Sequence, residues 1–538
     1  MKTLRTAWVR LSIALSIIAS AAGCAAVLGL EETSLKPASA GGSGGGADVG
    51  GSTSGQGGST PAPMLRLLAN PQRLAVPRGG SANVTIRLDR GDFTGTVNVT
   101  LGPLPNGVTG GKGTIPALAD EVNVTIAATK TAPLGLITPS VHATGAADLL
   151  LPILVSDPPG TLDSTFSSDG VILEGTDGKT SAFFAVLAQP DGKIVAGGAR
   201  GAGGWAIRRY QADGSPDATF NGNAAAVMPA TGQLRGLALD PKDDRIIAAG
   251  SSTRSSTTEA TVIRLNADGT PNAVFGNSGI SIFDTVSYPQ GSTALGVAVT
   301  PTSAVLVAGT ANQGPDEVAL LTQLDASGQP DGMFSGYRAE GRSSLSGIAL
   351  DGSFIIAGGA DRAVSPPRSM LVRLDGAGKI DKGFGVGGVA SFNDGCVPRG
   401  MAMQPHGGFV LAGQDVTAGP SFCIGRATKD GVLDWHHDFA GGNSETFTSV
   451  VALSDDRVVA VGHGGGTYSQ YAEVVRLSPK GGESDTSFAP NGTVTLEDPN
   501  TPQGYLYRFN ATALQPDGRI LVAGSKSSDG YALLRFWP

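Results

Sequence analysis

The residues of this chain that could do chemistry are few and scattered. The most polar cluster is Trp435-His436-His437-Asp438. Imidazoles beside a carboxylate suggest a metal site. Adjacent residues on a strand point to opposite faces, however, so His436 and His437 are poor joint ligands. His142, His406 and His463 stand alone and read as solvated loop residues. Asp213-Gly214, Asp268-Gly269 and Asp430-Gly431 recur and invite a calcium reading. A calcium loop needs a spaced set of further oxygen ligands, and none surrounds these pairs. Tight hairpins favour Asp-Gly for its positive-φ geometry and account for them. There is no Gly-x-Ser-x-Gly nucleophile elbow. Gly464-Gly465-Gly466 lacks the Lys-Ser/Thr sequel of a phosphate-binding loop. The sequence therefore assigns no catalytic, cofactor-binding or metal-binding residue, and no cofactor is expected.

The three cysteines are Cys24, Cys396 and Cys423. They are too few for a disulfide scaffold, and no Cys-x-x-Cys spacing suggests zinc or redox chemistry. Cys396 and Cys423 fall in one repeat, and outside the cytoplasm a bond between them is plausible. A strand lies between them and could hold them apart, so both readings stay open. Cys24 closes an N-terminal address. Lys2, Arg5 and Arg10 precede a short apolar run, Leu11 to Ala22, which is too short for a good membrane span. The run ends Ser20-Ala21-Ala22-Gly23-Cys24. This resembles a lipobox, which implies cleavage before Cys24 and lipidation of its thiol. Ala21 stands where that pattern usually has Leu. An ordinary cleavable signal and an uncleaved anchor are the alternatives.

Only 16% of residues are charged, and the formal net charge is −8. Without basic blocks the chain does not suit nucleic acid, whose phosphates must be neutralised by Lys and Arg. Eighty glycines and 33 prolines fit many short strands joined by tight turns rather than long helices. No transmembrane helix is expected in the mature chain. Residues 24–63 are rich in Gly and Ser and cannot bury apolar surface, so they read as a flexible tether.

Residues 64–157 change character. Asn83-Val84-Thr85-Ile86-Arg87-Leu88, Thr96 to Leu101 and Val122 to Ile126 alternate polar and apolar residues. Such alternation predicts half-buried strands and a small β-sandwich. Three Asn-Val-Thr triplets, at Asn83, Asn98 and Asn123, read as water-facing strand positions rather than glycan sites. The run Gly91-Asp92-Phe93-Thr94-Gly95-Thr96-Val97 through Leu104-Pro105-Asn106-Gly107-Val108 resembles bacterial immunoglobulin-like domains, as does Thr131-Ala132-Pro133-Leu134-Gly135. The resemblance implies the fold and says little about function; we read the segment as a spacer or stalk.

From residue 158 to the end the sequence repeats. Asp163-Ser164-Thr165-Phe166 recurs in altered form at Phe220, Phe275, Phe334, Phe384, Phe439 and Phe488, at intervals of 54, 55, 59, 50, 55 and 49 residues. An apolar strand ending in glycine keeps step, at Gly197, Gly250, Gly309, Gly358, Gly413, Gly462 and Gly524. Two landmarks with one period mark a repeat architecture. Four short strands with turns need about fifty residues, which is one propeller blade per repeat. The last repeat stops after three strands, while Gly170-Val171-Ile172-Leu173-Glu174 is a spare strand before the first. Pairing the two closes a ring and removes an open edge.

The phrases Leu162-Asp163-Ser164-Thr165-Phe166 and Gln189-Pro190-Asp191-Gly192-Lys193-Ile194-Val195-Ala196-Gly197 resemble the delta-60 repeat family, as does Gln515-Pro516-Asp517-Gly518-Arg519-Ile520-Leu521-Val522-Ala523-Gly524. The resemblance implies an exported, propeller-like protein and no single activity. The expected fold class is all-β: a seven-bladed β-propeller over residues 158–538, preceded by an immunoglobulin-like sandwich. The expected protein is a lipoprotein of the cell envelope, outer membrane or cell surface, or a secreted protein if Cys24 is not lipidated. Its expected partners are the membrane, through the lipid, and a protein or glycan ligand. The alternative is an exported hydrolase or lyase whose side chains converge on the ring axis.

Overall fold

In a computed structural model, the structure describes residues 65–91, 93–175, 181–201, 203–223, 226–228, 231–254, 256–283, 290–417, 419–439, 444–466, 469–496, 507–526 and 530–538. Cys24 and the residues read as a signal segment and a tether lie outside them. The described residues fall into two units, 65–157 and 158–538. Both are built from strands, and the only helices among the described residues are two single turns of 3-10 helix. None is long and apolar enough to cross a membrane.

Alternation builds the first unit. Val84, Ile86 and Leu88 of the strand Ser81–Asp89 point into a core with Val97, Val99, Ile115, Val124, Ile126 and Val141. Two four-stranded sheets and a three-stranded sheet surround that core. The asparagines of the Asn-Val-Thr triplets face outward and pair across strands. Thr125 Oγ1 donates to Asn83 Oδ1 at 2.6 Å, Thr85 to Asn123 at 2.7 Å and Thr114 to Asn98 at 3.0 Å. Such cross-strand polar pairs stabilise the exposed face of a sheet. Arg90 is buried and donates to the carbonyls of Gly95, Pro116 and Ala119, so it ties down the loop after its strand.

The second unit holds five four-stranded sheets and one of seven strands, all antiparallel. In the seven-stranded sheet one long strand, Tyr337–Asp351, pairs first with Asp316–Leu324 and then with Phe354–Asp361. It ends the third repeat and begins the fourth. The sequence reading expected separate sheets there. The difference lies in Tyr337 to Ser346, where no proline or Asp-Gly interrupts the strand. The spare strand Val171–Glu174 pairs antiparallel with Gly530–Phe536, with Ile172 opposite Leu533.

The first landmark is a staple between neighbouring sheets. The Asp163 carboxylate accepts from the backbone and hydroxyl of Thr165 and forms an ion pair with Arg535 at 2.7 Å. Asp217 with Arg209, Asp381 with Arg373 and Asp485 with Arg476 repeat the pair at 2.7–2.8 Å. Each arginine also lies over the landmark ring, 4.6–4.8 Å from the centroids of Phe166, Phe220, Phe384 and Phe488. Each ring but the last presses on a turn glycine of the next sheet. A Cβ on Gly214, Gly269 or Gly431 would lie 2.8 Å from Phe166, Phe220 or Phe384. The recurrent Asp-Gly turns therefore serve packing and tight reversal.

Two sequence expectations need correction. Phe439 is not the equivalent landmark in the fifth repeat. Trp435 and His437 take the place against Gly482, while Phe439 packs edge-on against Phe447 at 5.5 Å. The histidines are not all solvated loop residues. His142 sits on a strand, 2.7 Å from Asp148, and His463 is half-buried on the strand Val458–Gly466.

Candidate functional site

Seven strands form the inner lining of the second unit: Ala182–Ala188, Gly232–Leu239, Ser292–Val299, Tyr337–Asp351, Cys396–Met403, Thr446–Ala452 and Tyr507–Leu514. Each packs against the next, and the last packs against the first. Each carries one β-bulge at the same place. The extra residues are Phe184, Arg235, Leu295, Ser346, Arg399, Thr448 and Asn510. A bulge inserts one unpaired residue, bends its strand and re-aims a side chain.

The second landmark exists because of these bulges. The residue before each bulge faces a glycine on the adjoining strand: Gly198, Gly250, Gly309, Gly359, Gly413, Gly462 or Gly524. A Cβ on any of the seven would lie 1.8–2.3 Å from a backbone carbonyl oxygen. Only glycine fits. In the first and fourth repeats the operative residue is the second of a pair, Gly198 and Gly359, not the Gly197 and Gly358 read from the sequence. After each bulge comes a small residue, Ala185, Gly236, Gly296, Gly347, Gly400, Ser449 or Ala511. Smallness is needed there: a Cβ on Gly400 would lie 3.0 Å from the backbone of Ser449 on the next inner strand.

The frame is thus uniform, and the residue it displays is not. Three of the displayed side chains latch neighbouring strands. Ser346 donates to the Pro398 carbonyl at 3.1 Å, Thr448 to Phe509 at 2.8 Å and Asn510 to Phe183 at 2.8 Å. Phe184 and Leu295 are apolar and partly exposed. Arg235 is buried, donates to Gln233 and lies 5.1 Å over the Phe184 ring. Arg399 is half-buried, and its Nε makes no hydrogen bond. Burial holds both guanidinium groups down at about 10, and each has another arginine in its field: Arg399 for Arg235, Arg362 for Arg399.

His463 lies beside this group. Its Nδ1 donates to the Phe509 carbonyl at 3.2 Å. Burial pushes its pKa down to about 4, and Arg508 and Arg399 push the same way. The imidazole is neutral at neutral pH. As pH falls below 6.5 the unfolded chain takes up this proton first, so stability is lost between pH 6.5 and 4. The loss expected is roughly 2–3 kcal/mol. Denaturant unfolding of His463→Gln across that range should show a flatter profile. An unchanged slope would remove His463 as its source. Asp485 is held down at about 2, by Ser487 and Arg476 against its burial, so its loss falls below that window.

The strand bearing Arg399 begins at Cys396, which is bonded to Cys423 across a Cα–Cα distance of 5.9 Å. The intervening strand does not hold the two cysteines apart. Asp394 Oδ1 accepts from the backbone nitrogens of Cys396 and Ser369 and fixes the same end. The 27-residue separation implies a chain-entropy contribution of about 3.5 kcal/mol. Among the described residues, no group of three His, Cys, Asp or Glu side chains could hold a metal ion. Trp435 and His437 pack together against Gly482, their ring centroids 5.7 Å apart. His437 donates to the Gly481 carbonyl, and Asp438 lies 3.4 Å from His436.

The bulge positions left a trace in the sequence: an unlike residue followed by a small one, 13–15 positions before the facing glycine. Sequence reasoning identified the glycine without the register that explains it.

A family model described as "Domain of unknown function (DUF5122) beta-propeller" matches residues 189–220, 242–275 and 515–538. The chain is thus all-β with propeller-type repeats. No curated protein matches it. Among solved structures it is similar to a mutant of the Synechocystis apocarotenoid oxygenase, with 12% identity and a TM-score of 0.34 over 80% of this chain and 96% of that one. It is also similar to the intramolecular trans-sialidase from Ruminococcus gnavus, with 11% identity and a TM-score of 0.32 over 68% and 96%.

Proposed function

We propose that this chain is an exported, lipid-anchored binding protein of the cell envelope. In this reading residues 1–23 are removed, Cys24 carries the lipid and residues 24–63 form a tether. Residues 64–157 form an immunoglobulin-like spacer, and residues 158–538 form a seven-bladed propeller of the delta-60 type. Seven inner strands packed in a closed cycle support the blade count. So does the pairing of Val171–Glu174 with the last strand.

The observation that carries the binding reading is the bulge frame. In every repeat the residue after the bulge is small and the facing residue is glycine, while the displayed side chain ranges over Phe, Arg, Leu, Ser, Arg, Thr and Asn. A rigid scaffold presenting unlike side chains at one place is how folds build ligand sites.

Mass spectrometry of the mature N-terminus tests the anchor. The expected product starts at Cys24 with lipid attached, and an unmodified Cys24 would sink that half. An array of neutral and acidic glycans, with envelope extract as a second arm, tests the binding half. Retention on one ligand class, lost when Phe184 and Leu295 are both replaced by serine in a protein that still melts cooperatively, is expected. Retention on nothing would refute it.

A further inference from the structure

The inner face of the second unit gathers positive charge in a chain whose net charge is −8. Two of the seven displayed residues are arginines, in the second and fifth repeats, on opposite sides of the cycle. They lie in the same buried region, and Arg362 and Arg508 lie near it. Glu317 offsets Arg362. Among the described residues no carboxylate pairs with Arg399, and its buried Nε has no acceptor. A buried guanidinium nitrogen without an acceptor is costly. Such a group is satisfied when a ligand brings oxygen atoms to it.

We infer that Arg235 and Arg399 form a carboxylate-binding site on the inner face of the cycle, with Phe184 and Leu295 as its apolar wall. The planar guanidinium fork matches the two oxygens of a carboxylate. The apolar wall favours an organic acid over a bare inorganic anion, because it gives the body of the ligand a surface to cover. His463 adds a further contact type. With its Nδ1 hydrogen spent on Phe509, its neutral Nε2 is left as an acceptor for a ligand hydroxyl. Carboxylate, hydroxyl and an apolar ring face together describe a uronic acid, free or at the end of a glycan.

This assignment rests on the binding reading, and one set of titrations separates their fates. Calorimetry of the full chain at low ionic strength would compare glucuronate, a glucuronate-terminated oligosaccharide, glucose and inorganic phosphate. Saturable binding of glucuronate without glucose binding is expected, weakened about tenfold or more in Arg399→Gln. Arg399→Lys, which keeps the charge and loses the fork, should fall between. Thermal unfolding of both variants checks that the fold is intact. A preference for the oligosaccharide identifies a glycan end, and equal affinity identifies a free acid. Phosphate binding without glucuronate binding would overturn the carboxylate assignment. So would glucuronate binding that Arg399→Gln leaves unchanged. If glucose and neutral glycans bind instead, the carboxylate site falls and the binding reading stands. If no glycan or envelope component binds at all, both fall.

Discussion

Deleting Leu162 to Glu174 should lower the melting temperature of the second unit by about 10 °C, or prevent its folding. The segment does three things at once. Its strand covers the edge of Gly530–Phe536. Its Asp163 is fully buried and pairs with both Arg535 and Arg519, at 2.7 and 2.9 Å. Its Phe166 is fully buried under Arg535 and against Gly214. Loss of a buried phenylalanine alone costs about 3–5 kcal/mol. Leaving buried arginines without their carboxylate costs a similar amount. For a unit of this size each kcal/mol lowers the midpoint by about 1 °C. Differential scanning calorimetry checks the result. Asp163→Asn and Phe166→Ala should each reproduce part of the loss, and a midpoint unmoved by the deletion would mean that the ring closes without this strand.

Gly198→Ala should destabilise by roughly 3–5 kcal/mol, while Gly197→Ala, one residue earlier, should cost about 1 kcal/mol or less. A Cβ on Gly198 would lie 1.9 Å from the Ala182 carbonyl oxygen, an atom of the backbone that cannot move without undoing the bulge at Phe184. A Cβ on Gly197 would meet the methyl ends of Leu234 at 2.9 Å, and those can rotate away. Equilibrium unfolding in urea separates the two. Equal losses would show that the bulge relaxes, and that the seven glycines are kept for another reason. Gly359→Ala, at 1.9 Å from the Ser344 carbonyl, should behave like Gly198→Ala.

Much of the architecture was legible because it is local. The Asp-to-Phe landmark and the glycine landmark each sit within a few residues of the feature they build, so the repeat period could be read directly. The closing strand was legible because Gly170 to Glu174 had no other partner and the last repeat lacked a strand. Register was not legible. Nothing in Gly197-Gly198 distinguishes the two glycines until Phe183 and Gly198 are seen opposite each other. The inner arginines were hidden for the same reason. Arg235 and Arg399 are 164 positions apart in a chain with few charges, and only the packing of the inner strands puts Arg399 in the field of Arg235. Phe439 misled because the spacing was right and the packing partner, Gly482, is claimed by Trp435 and His437 instead.

The pairing of Val171–Glu174 with Gly530–Phe536 also sets an order of events. It joins residues about 360 positions apart, the longest separation of any strand pairing among the described residues. Bringing such distant ends together carries a large loop-closure entropy, so contacts of this kind form after the local hairpins. The hairpins can therefore assemble one after another, while the cycle locks only when these two distant strands meet.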